Sequence, residues 1–316
     1  MAETRSLVVV LTWNGREDTL RCVASLRDGA AGHDVLVVDN GSHDGALDAV
    51  STAWPDVGTL QTGENLGFAG GMNRGVAWGL RHGYDVVTVL NNDTVVEPGA
   101  LDRLVARAAG TRTALSPRIV RDGDAGALWF AGGVLDAADG LPRHLTAAEV
   151  AAAGPAPGPV VPTDLLTGCC VVADAAVWRD VGPFDERYFL NFEDSDWSLR
   201  AVRRGVGLLV DHDAVVRHRV SASFVGPAAY LGTFYYARNA LLFARTWRDQ
   251  GVRGWPILRR HVLPGVAEAW RTQGVVEGLR RGATVLAALV ARAVHAGGRA
   301  PRALERAAAR WARSPG

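Results

Sequence analysis

Three groups of acidic residues sit where α/β proteins carry out chemistry. Between Asp85 and Glu97 an apolar, β-branched run stops abruptly at Asn91, Asn92 and Asp93. That composition predicts a fully buried parallel strand, and ligands of open α/β sheets gather at the carboxyl ends of such strands. A hard carboxylate beside two amides suits a divalent cation carrying a substrate diphosphate, because such ions take oxygen ligands from few protein groups plus phosphates. The same residues also fit a plain strand-ending Asn/Asp turn. Asp39 ends a second such run, where a carboxylate can hydrogen-bond a base or a ribose. The third group, Glu193-Asp194-Ser195-Asp196, enters a helix and offers a general base; first-turn capping is the alternative use of the same residues.

The elements that must position these groups follow from periodicity. Ser6 to Thr12, Asp34 to Asp39 and Asp85 to Leu90 read as strands, with helices over Asp18–Asp28, Asp44–Thr52, Met72–His82 and Gly99–Ala109 and a glycine-rich turn over Gly63–Gly71. Alternating strand and helix predict a parallel sheet with right-handed crossovers. Further strands are expected near Ala114–Val120, Ala127–Leu135, Leu165–Ala173 and Gly207–Val210, with helices at Asp174–Asp180 and Glu193–Arg204 and an exposed Pro/Gly/Ala loop over Ala151–Pro162. From Pro227 to Ala312 the pattern is helical. We therefore expect an α/β domain over 1–225, in two halves over about 1–110 and 111–225, and a helical region over 226–316.

Composition excludes disorder: of 316 residues 48% are hydrophobic and 21% charged. The net charge of +1 conceals an asymmetry, with acids concentrated early and arginine dominating from Arg238 onward. No nucleic-acid partner is expected. Three cysteines, two of them adjacent at Cys169 and Cys170, provide neither a disulfide framework nor a zinc spacing, which fits a reducing cytosol. The N-terminus enters a strand directly, so no signal peptide is expected. Ala283–Val294 is too short to span a bilayer and carries Arg292. Trp255, Trp270 and Trp311 among many arginines fit an interfacial segment on anionic lipid, or equally a solvated basic face.

Five segments in order carry more than any one alone: Val-Val-Val-Leu-Thr-Trp-Asn, Val-Val-Asp-Asn-Gly-Ser, Glu-Asn-Leu-Gly-Phe-Ala-Gly-Gly-Met-Asn, Leu-Asn-Asn-Asp, and Gly-Pro-Phe-Asp-Glu-Arg-Tyr-Phe-Leu-Asn-Phe-Glu-Asp-Ser-Asp-Trp. From about Leu7 to Trp247 the chain resembles the family 2 inverting glycosyltransferases, most of all their rhamnosyltransferase-like branch. The resemblance implies a GT-A fold, in which about 1–110 and 111–225 are the nucleotide-binding and acceptor halves of a catalytic domain, a nucleoside-diphosphate sugar donor (dTDP-rhamnose favoured, a UDP-sugar as the other option), Mg2+ or Mn2+, and a glycan or polyprenyl-linked acceptor. Carried over by position, Thr12 and Asp39 line the nucleobase and ribose pocket, and Asn65, Gly67, Asn73 and Asn92 lie near the nucleotide and donor sugar. Asp93 is the metal ligand, with His218 a further metal or diphosphate contact; a solvated basic strand end is the plain reading of that histidine. Asp194 is the general base, with Glu193 and Asp196 shaping the acceptor side. The family's metal motif usually offers two acids around one residue, whereas here Asn91 and Asn92 precede Asp93.

Other readings stay open from residues alone. Acids at strand ends with a metal also suit a nucleotidyl- or phosphotransferase, and a non-catalytic sugar-nucleotide or lipid-surface module fits the same segments. No Gly-x-Gly-x-x-Gly follows the first strand, so a nicotinamide cofactor is disfavoured. No Gln-x-x-Arg-Trp is evident, so one sugar per encounter is expected. Tyr235 and Tyr236 read as packing residues, while Arg238 is placed to reach a diphosphate.

Overall fold

The computed structural model describes residues 4–30, 32–124, 126–153, 158–220 and 228–294. The first half alternates strand and helix: β1 (Ser6–Thr12), α1 (Arg16–Gly29), β2 (Asp34–Asp39), α2 (Ala46–Ala53), β3 (Gly58–Gln61), α3 (Gly67–Arg81), β4 (Val86–Asn91), β5 (Thr94–Val96) and α4 (Ala100–Ala108). Next come β6 (Thr113–Arg121), β7 (Leu128–Phe130), β8 (Gly133–Leu135), β9 (Pro142–His144), α5 (Ala147–Ala152), β10 (Val160–Pro162), β11 (Cys170–Asp174), α6 (Ala175–Val181), α7 (Glu193–Arg203) and β12 (Gly207–His218). Helices α8 (Ala228–Thr246), α9 (Gly254–Ile257), α10 (Leu263–Thr272) and α11 (Val275–Val294) follow, with a π-helical turn at Leu258–Val262 before α10.

The main sheet runs β10-β12-β6-β11-β4-β1-β2-β3. β1 lies parallel to β2 and β4, whereas β11 is inserted antiparallel between β4 and β6. Every residue of β1 is buried, as a central strand covered on both faces requires. Its period of two sorts the core. Val8 and Val10 join Cys22, Val23 and Leu26 of α1 and Leu101 and Leu104 of α4, while Leu7 and Val9 join Met72 and Val76 of α3, Trp178 of α6 and Trp197 of α7.

Several expectations give way to tertiary structure. Of the turn expected over Gly63–Gly71, Gly63 bends the chain with φ +82°, but Gly67, Gly70 and Gly71 belong instead to α3, which starts at Gly67. Gly71, Gly75 and Gly79 recur every fourth residue on one face, and a Cβ there would stand 2.4, 2.1 and 2.8 Å from Leu11, Val9 and Leu7. Their absent side chains let α3 press onto β1. The strand expected over Ala127–Leu135 is two, β7 and β8, and Gly132 between them has φ +130°. The strand expected from Leu165 begins at Cys170. Within Ala151–Pro162, the described ends belong to α5 and β10; residues 154–157 lie outside the described chain. β12 does not stop at Val210. Its pairing with β6 shifts register between Asp211 and Val215 and then resumes to His218, so the polar Asp-His-Asp that disguises it marks a bulge. Asp211 is fully buried there and paired with Arg103 and Arg107.

The chain forms two compact units, the first within Met1–Val134, Arg143–Phe184 and Asp194–Ser221, the second within Leu135–Pro142, Asp185–Glu193 and Ala222–Gly316. The first holds the main sheet. In the second, Phe234 and Tyr235 of α8 pack with Val285, Ala288 and Ala291 of α11, and Phe189 stacks on Tyr235 at 4.7 Å. Tyr235 is thus a packing residue. Arg238 is buried, donating to the Arg187 carbonyl and to Asn239 Oδ1 at 2.7 Å each, a position built into this unit's own core. The helical pattern expected to Ala312 is described as far as Val294; Trp311 and its neighbouring arginines lie outside the described residues.

Candidate active site

The carboxyl ends of β1, β2 and β4 carry one linked set of polar residues. Asp39 is buried at the end of β2, where Oδ1 accepts from the Ser42 amide at 2.9 Å and Oδ2 from Gln61 Nε2 at 2.7 Å. Beside it Asn40, also buried, donates to Asn65 Oδ1 and to the Gly67 carbonyl and accepts from the Leu66 amide. Asn65 Oδ1 further accepts from the Gly67 amide, which pins the loop into α3. At the end of β1, Thr12 is buried and bonded to Thr19 at 2.8 Å, and the Asn92 amide donates to Thr19 Oγ1 and the Gly15 carbonyl. Trp13, the next residue, is 55% exposed. Thr12, Asp39, Asn65, Gly67 and Asn92 therefore share one neighbourhood. Asn73 does not turn to it: its amide donates to the Phe184 carbonyl and its Oδ1 accepts from the Phe184 amide, both at 2.9 Å, bracing the turn before residue 185.

Asp93 follows Asn92, and strand pairing delivers its partner. β5 and β12 run antiparallel with Thr94 opposite His218, so the imidazole arrives at the carboxylate, Nε2 to Oδ1 3.0 Å. His218 is only 7% exposed and its ring meets Trp129 edge-on at 4.5 Å, which overturns the reading of a solvated strand end. Its Nδ1 is buried without a hydrogen-bond partner among the described residues. Asp93 and His218 could hold a divalent cation: cis ligands of an octahedral ion at about 2.0–2.1 Å stand roughly 3 Å apart. No group of three or more His, Cys, Asp or Glu able to hold a metal occurs among the described residues. Two protein ligands leave most positions to diphosphate and water, the usual arrangement for Mg2+.

Asp194 approaches from the other side of a single turn. Its Oδ2 accepts from the Gly168 amide at 2.9 Å and its Oδ1 from the Ser195 amide at 2.6 Å, while the next carbonyl, that of Cys169, accepts from the Asn91 amide at 2.9 Å. Gly168 has no room for a side chain, because a Cβ would lie 3.0 Å from the Phe68 ring and 3.5 Å from Asp194 Cβ. Burial first, then the charges of Asp93, Cys170, Cys22 and Asp194, push the Cys169 thiol well above its ordinary pKa. Asp194 and Asn91, two residues before Asp93, thus both bond to the Gly168–Cys169 turn.

Asp196 is placed differently. Two residues on an α-helix are about 200° apart, and Asp196 Oδ2 meets Arg200 Nε at 2.8 Å, whose guanidinium also donates to the Val181 and Pro183 carbonyls. It braces the turn after α6. Glu193 opens α7, is buried, and groups with the second unit.

Residues 7–140 match the family model of Glycosyl transferase family 2. The N-acetylglucosaminyl-diphospho-decaprenol L-rhamnosyltransferase of Mycobacterium tuberculosis (strain ATCC 25618 / H37Rv) is 30% identical over 261 residues, covering 72% of this chain and 82% of that protein. The chain belongs to glycosyltransferase family 2. Among solved structures, GalNAc-T7 with UDP, GalNAc and Mn2+ is similar at TM-score 0.57 and 15% identity, over 85% of this glycosyltransferase and 58% of that chain. The mannosyltransferase PcManGT from Pyrobaculum calidifontis, in complex with GDP-Man and Mn2+, gives 0.53 at 18% identity over 98% and 81%. At such identities the likeness is one of fold, and the GT-A fold implied by the sequence is the fold found.

Two residues of this glycosyltransferase escaped sequence reading. Asn40 was visible only as part of a turn signal, yet it ties the end of β2 to the loop entering α3. His144 of β9 stands in a polar stretch with no periodicity, and the fold sets its ring edge-on to Trp129 at 4.7 Å and Phe130 at 5.0 Å. Its Nδ1 lies 2.9 Å from the Trp129 carbonyl, so that nitrogen carries the proton and Nε2 is left as an acceptor. Shielding by the aromatic rings lowers its pKa against the raising effects of the Trp129 carbonyl and Asp194, with His218 adding to the decrease. His144 therefore sits within electrostatic reach of Asp194 and His218.

Proposed function

We propose that this glycosyltransferase moves rhamnose, with inversion, from dTDP-rhamnose to a hydroxyl of a polyprenyl-linked glycan. The observation that carries the reading is the Asp93–His218 pair, with Asp93 two residues beyond the Asn91 that shares the Gly168–Cys169 turn with Asp194. Donor and acceptor identity draw on the printed name of the mycobacterial relative, and the need for Mg2+ or Mn2+ on the Asp93–His218 pair together with the Mn2+ in both solved relatives.

In the proposed reaction the bond from the anomeric carbon to the departing phosphate oxygen breaks as the bond to the acceptor oxygen forms. The acceptor hydroxyl loses its proton to Asp194, held by two backbone amides, Gly168 N–H on Oδ2 and Ser195 N–H on Oδ1. Asp93 and His218 would hold a divalent cation, which would supply charge compensation for the leaving diphosphate. Asp39 and Asn40 order the loop over the nucleotide, and exposed Trp13 gives the base a stacking face. His144 Nε2 accepts from a sugar hydroxyl. Three free, buried cysteines suit a reducing cytoplasmic setting.

The test is product analysis. Purified protein is incubated with dTDP-rhamnose, UDP-sugars and a polyprenyl-diphosphate N-acetylglucosamine acceptor, with Mg2+ or Mn2+. Release of intact nucleoside diphosphate and a linkage of inverted anomeric configuration by NMR are expected. Release of pyrophosphate would instead identify a nucleotidyltransferase, and no nucleotide binding with either metal would end the catalytic reading.

A further inference from the structure

Helix α11 is amphipathic in reverse. Thr284, Val285, Ala288 and Ala291 are buried toward the rest of its unit, yet the opposite face is not polar. Val276, Leu279, Ala283, Leu286 and Val290 recur at spacings of three or four, and the four large ones are 62%, 58%, 61% and 52% exposed. A solvated helix places charges on that side. Trp270 of α10 extends the stripe: it is 42% exposed, and its indole lies against Gly278, where a Cβ would stand 2.3 Å from the ring. An uncovered apolar strip of this length marks a contact surface.

Charge selects the occupant. Between Gly254 and Val294 the sequence carries six arginines against two glutamates. Arg280 is adjacent in sequence to Leu279, and the Arg271 side chain beside Trp270 is 73% exposed, paired with Glu268 as Arg281 is with Glu277, so the arginines outnumber these acids by four. A second copy meeting this face would bring like charges together, whereas anionic lipid headgroups neutralise them and tryptophan favours the headgroup layer. Among the described residues no helix is long and apolar enough to cross a membrane. We propose that the outward face of α11, with Trp270 at its edge, docks this protein on an anionic bilayer surface, the helix lying in the headgroup layer. This deepens the reading of a lipid-linked acceptor but rests on separate residues.

The test uses the full chain with vesicles of phosphatidylcholine alone or mixed equally with phosphatidylglycerol, neither containing polyprenyl lipid. The wild-type chain should float with the mixed vesicles and bind phosphatidylcholine far more weakly, and brominated lipid should quench its tryptophan fluorescence. Leu279→Gln combined with Leu286→Gln, both exposed, should lower vesicle affinity roughly tenfold or more, with unchanged melting temperature and unchanged transfer to a water-soluble acceptor. Wild-type-like flotation of that variant would overturn the proposal. So would a wild-type chain that ignores vesicles, or a solution dimer that the double variant converts to monomer without vesicle binding. A chain that floats but transfers no rhamnose keeps this inference and loses the functional one, and the converse result does the opposite.

Discussion

Asp194→Asn isolates proton acceptance from shape. The carboxylate receives two backbone donors, Gly168 N–H on Oδ2 and Ser195 N–H on Oδ1. An asparagine has one oxygen, so one of these N–H groups must face an amide nitrogen. A buried donor left unpaired costs about 1–3 kcal/mol, and since Asp194 is half-buried the lower end applies, a melting-temperature loss of about 2–4 °C for a domain of this size. Loss of the general base costs about 10²–10⁴ in turnover, or roughly 3–5 kcal/mol of barrier at 1.36 kcal/mol per decade. The chemical loss therefore exceeds the structural one, and the two separate experimentally. Initial rates of nucleoside-diphosphate release at saturating donor and acceptor give kcat, while thermal shift with nucleotide and metal gives binding. We expect kcat to fall by that factor with nucleotide affinity preserved. A rate close to wild type would refute the assignment of the base to Asp194, and a loss of nucleotide binding in proportion to the loss of rate would refute the separation of roles.

Removing a metal-side partner should act on a different quantity. His218→Ala and Asp93→Asn should raise the Mn2+ concentration for half-maximal activity by at least the ~10–100-fold that losing an outer-shell partner costs, and Mn2+ EPR with nucleoside diphosphate should show the same weakening. Gly75→Ala puts a Cβ 2.1 Å from Val9 Cγ1, an overpacking expected to destabilise by about 1–3 kcal/mol in denaturant melts. Trp13→Ala should weaken nucleotide affinity by about 1–3 kcal/mol if the base stacks there, measured by calorimetry; an unchanged Kd would remove Trp13 from the pocket. All three thiols are buried, with Cys22 pushed up to about 12 and Cys169 and Cys170 also raised. With pKa values above the assay pH their thiolates are absent, so iodoacetamide at pH 8 should label none in the folded chain and all three in urea, read by mass spectrometry.

Much of the region around Asp39 and Asp93 was legible because its signals are local. β1 and β2 were expected with the bounds they have, and Asp39 and Asp93 were expected at strand ends, since an apolar run broken by Asn and Asp needs no distant partner to be read. What failed depended on neighbours. The first glycines of α3 resembled a turn because the purpose of Gly71, close approach to Leu11, lies sixty residues away along the chain. The separation of Asp194 from Asp196 was available from helical geometry alone, whereas the Arg200 that holds Asp196 to the Val181 and Pro183 carbonyls was not.

By itself the sequence determined the main alternating strands and helices of the first half, the acids and amides that end or follow β2 and β4, and the family to which they belong, all consequences of residue type and spacing. Only the tertiary structure decided that His218 meets Asp93, that Asp194 and Asn91 share the Gly168–Cys169 turn, and that the apolar stripe of α11 faces outward. The reason is physical: β12 is broken by a polar bulge, β11 inserts antiparallel between β4 and β6, and the buried side of α11 is chosen by its neighbours. Pairings that span a hundred residues leave no periodicity for a local reading to find.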